Sequence, residues 1–283
     1  MTHSTENRID TEALLAPMHL FQDLPRERIL EIAEHARIKR LSKGEMLFQK
    51  GDHAHGFYVL AYGQIKLAFP SSNGNEKVVD IINSQQSFGE AVMLAQQPYP
   101  VFAQTLADSL LVFVPREAAF ALLENEPLFA RRVLIGLAIH NHSLVNDIES
   151  YTLRTSTQRV VGHLLQHCPP PCREDHIEIA LPTSKQITAS RLNLTPETLS
   201  RIFHDLAAAG LITIDGKRIV IHSIRQLRFS FEQSEIEPTH AERHHARPRA
   251  DKRPHQVTAD EKHCHPSHQA SDHAQGHRFK TSW

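Results

Sequence analysis

Cysteine is scarce. The chain has three in 283 residues, Cys168, Cys172 and Cys264, too few for the paired framework that staples small secreted domains. Long apolar runs are missing as well. No stretch reaches 18 consecutive apolar residues, which excludes an ordinary membrane-spanning helix. The first ten residues, MTHSTENRID, are polar and lack an apolar segment, so no signal peptide and a cytoplasmic location are expected. Charge of one sign is not in excess: the formal net charge is −1. No global basic field draws in nucleic acid, and any basic patch must be local. The motifs G-x-x-x-x-G-K, G-x-S-x-G and H-E-x-x-H are absent, so the sequence gives no support to an enzyme.

What is present is an ordinary globular composition, 40% apolar and 22% charged, in a length that suits two domains or one domain with appendages. Residues 1–18 read as an N-terminal arm. Leu24-Pro25 followed by RERILEIAEHA predicts a short helix. Residues 46–114 then break into short apolar runs (MLFQ, GFYVLAY, QIKLAF, KVVDII, SLLVFV), punctuated by Gly44, Gly51, Gly63, Asn73-Gly74 and Gly89. Many short strands at close spacing predict a compact antiparallel roll over 19–126, with a short helix at FGEAVML inside it. Pro115 is expected at the first position of the helix REAAFALLEN.

A long helix is expected over 127–154. Leu134, Leu137, Asn141, Leu144, Ile148 and Tyr151 alternate in steps of three and four, a heptad seam with Asn141 at an a position. The spacing predicts a homodimer zipped along this helix. A helix packed on its own roll is the alternative. Thr155 and Gln158 form a capping-box pattern ahead of RVVGHLLQH, and the Pro-rich CPPPC loop ends that helix. Cys168 and Cys172 in this loop are read as loop cysteines, with metal chelation or oxidation as the alternative.

Residues 155–230 make a smaller domain. Thr183 with Gln186 predicts a capping box for the helix SKQITASRL. Asn193 supplies the left-handed residue of a tight turn, and Thr195 and Pro196 start the next helix as cap and first residue. Leu199, Ile202, Phe203 and Leu206 form its buried face, and Gly210 stops it. Asp215-Gly216 between two alternating runs predicts a hairpin. Helix, turn, helix and hairpin make a winged helix-turn-helix. Glu197, Ser200 and Arg201 then face outward near the start of the second helix, where such folds meet the DNA major groove. Arginine reads guanine, glutamate accepts from cytosine, and serine serves a base or a phosphate. Thr183, Lys185, Thr195, Lys217 and Arg218 are the candidate contacts to the DNA backbone. Between Lys185 and Arg228 seven basic residues (185, 191, 201, 217, 218, 225, 228) face three acids, Glu197, Asp205 and Asp215, a local surplus that favours phosphate. The competing reading of Glu197 and Arg201 is an i,i+4 ion pair on a solvated face. Residues 231–283 are predicted to be a disordered tail. Nine of the 21 histidines fall between His240 and His277, and with Cys264 they would take up zinc, nickel or copper adventitiously.

These motifs resemble the CRP/FNR transcription regulators over residues 19–230. LSKGEMLFQKGDHAHGFYVLAYGQIKL is similar to the family's effector roll, SFGEAVML to its cyclic-nucleotide cassette, and LPTSKQITASRLNLTPETLSRIFHDLAAAGLI to its DNA-binding signature. The implied fold is α+β: a cyclic-nucleotide-binding-like roll, a dimerisation helix and a winged helix-turn-helix. E-x-x-S-R at Glu197, Ser200 and Arg201 is similar to the FNR-type recognition helix, which implies an inverted repeat with half-sites close to TTGAT. The resemblance further implies RNA polymerase as a partner, in an activator.

Gly89 and Glu90 match the family's effector pocket. Pro100 and Val101 stand where cyclic-nucleotide binders carry arginine and a hydroxyl residue, which argues against cAMP because the phosphate lacks its bidentate partner. The clustered N-terminal cysteines of FNR are absent, so no iron–sulfur cluster is expected. GEAVML with QQPYP, TQRVVGHLL and PETLSRI are most similar to the Dnr branch, the nitric-oxide-responsive regulators of dissimilatory nitrate respiration. That branch implies haem, with His19 in MHLF as the candidate ligand. Arg191 stands where a second candidate of the branch would be. The rival readings are a regulator with another small-molecule effector, and a His-rich metal- or haem-binding protein that does not act on DNA.

Overall fold

A computed structural model of the protein describes residues 10–70, 76–168 and 176–233. The predicted Asn73-Gly74 turn, Cys172, Cys264 and the His-rich stretch fall outside the described residues, as do residues 1–9 of the arm.

Two short helices lead in, α1 (Thr11–Leu15) and α2 (Arg26–His35). The strands β1 (Arg37–Leu41), β2 (Met46–Phe48), β3 (Gly56–Tyr62), β4 (Gln64–Pro70), β5 (Glu76–Asn83) and β6 (Ser87–Phe88) follow. After α3 (Glu90–Ala95) come β7 (Phe102–Thr105) and β8 (Ser109–Pro115). They form two four-stranded antiparallel sheets, ordered β1-β8-β3-β6 and β2-β7-β4-β5. This is the predicted roll, with β1, β6 and β7 added to the runs the alternation revealed. Its core includes Phe57, Val59, Leu60, Ile65, Leu111 and Val114, all buried, and β3 is buried at five consecutive positions, Gly56 to Leu60. Gly63 turns β3 into β4 at φ 102°. A Cβ there would stand 2.3 Å from Ser109 Oγ, so only glycine fits this corner.

Helix α4 (Arg116–Asn125) packs on the roll and runs into α5 (Pro127–Leu153), 27 residues long. Pro115 is the cap of α4, one residue ahead of the expected place. At the start of α5, Phe129 and Val133 are buried in the roll's own core.

A second core, separate from the first, gathers Val160, Val161, Leu164, Ile179, Leu199, Ile202, Phe203, Ile212 and Ile219. It is enclosed by α6 (Ser156–Gln166), β9 (Ile177–Ala180), α7 (Lys185–Arg191), α8 (Pro196–Ala208), β10 (Ile212–Asp215), β11 (Arg218–Ile221) and α9 (Ile224–Gln233). The Thr155–Gln158 capping box is formed in full. The wing is a three-stranded sheet, β10-β11-β9, one strand more than the hairpin predicts. Asp215 pairs with Arg218 as the last rung of the ladder. The two-residue loop is therefore Gly216-Lys217, with Gly216 at φ 60°. Among the described residues no helix is long and apolar enough to cross a membrane.

Candidate nucleic-acid interface

Helix α8 is fixed in place before any polar residue on it can act. Thr195 is its N-cap, its hydroxyl accepting from Thr198 N at 3.2 Å. Pro196 fills the first position, where a missing N–H does no harm. Leu199, Ile202, Phe203 and Leu206 are buried on one side. The turn before it closes with Leu194 N donating to Ala189 O at 2.9 Å and Asn193 at φ 57°. Arg159 of α6 secures the same turn, donating from Nη1 to the carbonyls of Leu192 and Asn193 at 3.1 Å each. No sequence motif marks that contact.

Glu197, Ser200 and Arg201 are all exposed at i, i+3 and i+4. The competing ion pair does not form. Glu197 takes hydrogen bonds from its own backbone N–H and from the Thr195 side chain, which hold its carboxyl below the usual range. Arg201 makes no ion pair or hydrogen bond among the described residues. All three side chains lie at the positive end of a helix, and none is held by another side chain's charge. His204, exposed and seven residues after Glu197, extends the same face by one turn. A search confined to the helix start overlooks it, although its i+7 spacing marks it.

The candidate backbone contacts divide. Lys185, Thr195, Lys217 and Arg218 are exposed around α7, α8 and the wing. Lys185 Nζ lies 6.0 Å from the Phe203 ring centroid. Arg218 is engaged, its Nε and Nη2 on the two carboxylate oxygens of Glu178 at 2.7 and 2.8 Å. Thr183 is corrected: it is buried, its hydroxyl 3.0 Å from that of Thr188, and so unavailable to a phosphate. Ser184 caps α7 in its place, accepting from Ile187 N.

The predicted heptad seam on α5 splits in two. Leu134 and Ile148 are 66% and 62% exposed, and Asn141 is exposed too. Leu137 packs on the roll's core, Tyr151 is half-buried, and Leu144 sits at the border at 36%. Four of the predicted interface residues, Leu134, Asn141, Leu144 and Ile148, are thus exposed. Leu134, Ala138, Asn141, Val145, Ile148 and Thr152, all exposed and again in steps of four and three, keep three residues of the predicted seam, and Ile135 and Ile139 beside them are exposed as well.

In the roll, Gly89 (φ 92°) turns into α3. A Cβ on Gly89 would stand 3.4 Å from the Tyr99 hydroxyl oxygen. Glu90 is next to it, its carboxyl pushed up by burial and partly offset by a hydrogen bond from Ser87. Tyr99 stacks on Phe48 with centroids 3.7 Å apart, and Tyr58 and Phe88 complete a buried aromatic cluster. Val101 is buried and Pro100 exposed, and neither side chain offers a donor to a phosphate. His19 is exposed between buried Met18 and Phe21, and its carbonyl accepts from Arg132 Nη1. Haem iron takes its ligand inside an apolar pocket, so the exposed His19 imidazole as placed does not fit iron porphyrin. Arg191 is occupied by Asp147 and Tyr151.

A capped two-helix unit with a three-stranded wing, joined by a long helix to an eight-stranded roll, defines a DNA-binding regulator with a ligand-sensing type of domain. Comparison with known proteins bears this out. Residues 38–126 match the cyclic nucleotide-binding domain and residues 158–229 the Crp-like helix-turn-helix domain. The global nitrogen regulator of Synechococcus elongatus is 30% identical over 192 residues, spanning 65% of this chain and 85% of that protein. A solved structure from Ruegeria pomeroyi is 32% identical, with a TM-score of 0.51 over 79% of this chain and 97% of the other. FixK2 from Bradyrhizobium japonicum, 19% identical, shares the fold with a TM-score of 0.59 over 69% of this chain and 96% of that one. The chain belongs to the CRP/FNR family of transcription regulators.

Proposed function

We propose that the protein binds a two-fold-symmetric DNA site as a homodimer, each α8 reading one half-site close to TTGAT. The observation that carries this is the trio Glu197, Ser200 and Arg201, solvent-facing and free of side-chain ion pairs on a helix clamped from behind. In the groove, Arg201 donates to guanine O6 and N7, Glu197 accepts from cytosine N4, and Ser200 bonds to a base or a phosphate. Lys185 and Lys217 neutralise phosphates on either side. The outward face of α5 supplies the two-fold axis: its exposed Leu134, Ile139, Val145 and Ile148 need a cover, and a second copy of the same helix fits it.

The roll biases the dimer between DNA-competent and incompetent arrangements when it takes up its signal. Pro100 and Val101 make a cyclic phosphate the wrong ligand for the Gly89–Glu90 region. Nitric oxide as the signal rests on the resemblance of the sequence to the Dnr branch, and His19 as placed lends it no support. Contact with RNA polymerase rests on the family.

The test is a mobility shift of the full chain with a TTGAT-type palindrome and with the same duplex scrambled in both half-sites, alongside its mass in solution. Tight binding of the palindrome alone by a dimer is expected. Equal binding of both duplexes would remove the base-reading role, and a monomer in the complex would remove the symmetric arrangement.

A further inference from the structure

Among the described residues, α7 of the reading domain packs on β5 of the sensing roll. Ser190, near the end of α7, bonds to the edge of β5: its hydroxyl donates to Glu76 O at 2.7 Å and accepts from Val78 N at 2.9 Å. One side chain thus completes a missing rung of the sheet edge. Lys77, between those two residues, donates from Nζ to Ser190 O at 2.6 Å and lies 4.6 Å from the Tyr151 ring centroid. Burial, followed by repulsion from Arg191, lowers its pKa to about 8. The next residue, Arg191, grips α5 through Nη2 on Asp147 Oδ2 and Nη1 on the Tyr151 hydroxyl, both at 2.7 Å. The Tyr151 hydroxyl donates to Arg191 O at 2.6 Å. On the roll side, the Glu76 carboxylate pairs with buried Lys66, which ties the clipped edge to β4.

We infer that Ser190 and Arg191 are positioning residues for DNA reading: they clip α7 to β5 and α5, and so fix the angle at which α8 is presented. None of the clip residues lies on the outward face of α8, and Glu197, Ser200 and Arg201 remain exposed with the clip closed. The contact holds the reader without covering it. This inference rests on the two-headed reading above. A dimer gains affinity from its second head only when that head is already aimed at the second half-site, because a loosely hinged head is diluted over many orientations. A single half-site makes no such demand.

The experiment compares the full-length wild type with Ser190→Ala, Asp147→Asn and Ser190→Thr on a palindromic duplex and on a duplex with one half-site scrambled. Melting temperatures are measured in parallel. Ser190→Ala and Asp147→Asn are expected to weaken palindrome binding roughly tenfold while half-site binding stays within about twofold. Ser190→Thr, which keeps the hydroxyl, is expected to restore palindrome affinity. Palindrome affinity that is unchanged or raised in Ser190→Ala overturns the clip as a positioning device. An equal fall on both duplexes, with a lower melting temperature, shows a structural contact only and also overturns it. A wild type that binds both duplexes alike overturns the two-headed reading itself, and with it the advantage assigned to the clip.

Discussion

Arg201→Ala separates base reading from general attraction to DNA. In the free protein Arg201 is exposed and forms no ion pair or hydrogen bond among the described residues. Truncation therefore orphans no partner, and stability should move by no more than about 0.5 kcal/mol. In the complex each half-site loses a bidentate contact worth about 1–3 kcal/mol of discrimination, roughly a 5- to 150-fold loss of affinity per half-site. That loss is confined to one base pair in each half-site. Arg218 gives the contrast. Its two donors are already spent on Glu178, so meeting a phosphate requires sharing or breaking a pair that exists. Arg218→Ala should weaken binding less than Lys217→Ala, uniformly across sequences and with a shallower salt dependence. The assay is an anisotropy titration against the palindrome and every single-base variant of one half-site, at about 50 and about 200 mM salt. If Arg201→Ala lowers affinity by the same factor for every variant, Arg201 reads no base. The free, unpaired guanidinium would then be one more phosphate contact.

Two further outcomes follow from burial. Desolvation first, and then the neighbouring His167 and Arg191, hold the His163 imidazole at about 4, below its ordinary 6.5. Between those values the unfolded chain binds the extra proton, so this contribution to stability is present above pH 6.5 and lost as pH falls towards 4. The loss is up to about 3 kcal/mol. Urea unfolding of wild type and His163→Leu at pH 7 and near pH 4.5 should show a smaller acid loss in the variant, and equal losses would contradict the assignment. On α5, Val145 is 55% exposed, so Val145→Glu should leave the protomer folded while placing a charge in the proposed seam. Light scattering should find a monomer with weak palindrome binding, and a stable dimer would put the two-fold axis elsewhere.

The residues that were legible act over three or four positions. The caps at Thr155 and Thr195 and the left-handed Asn193 are local chemistry, and the structure keeps all of them. The errors come where two local choices are equally good and packing decides. Thr183 and Ser184 can both cap a helix; burial of Thr183 against Thr188 leaves the task to Ser184. Asp215-Gly216 and Gly216-Lys217 can both close a hairpin. Pairing of β11 with β9 as well as β10 extends the ladder to Asp215 and Arg218. Steps of three and four along α5 fit two adjacent faces, and only the roll beneath Phe129, Val133 and Leu137 shows which is taken. Strand β1 reads RIKRL, whose charges hide its alternation, and β9 has four residues. The clip was invisible because Ser190 and Glu76 are 114 positions apart and neither is unusual for its own helix or strand. The same distance misled the charge count. Seven bases against three acids overstated the field offered to DNA, because two of the acids that matter lie outside that window: Asp147 on α5 takes Arg191, and Glu178 on β9 takes Arg218. A charge is available to a phosphate only when the fold has not already spent it. Lys185, Arg201 and Lys217 lie around the reading helix and form no ion pair among the described residues, and neither do Arg225 and Arg228 of α9; the salt dependence of binding should follow these unspent cations rather than Arg191 and Arg218.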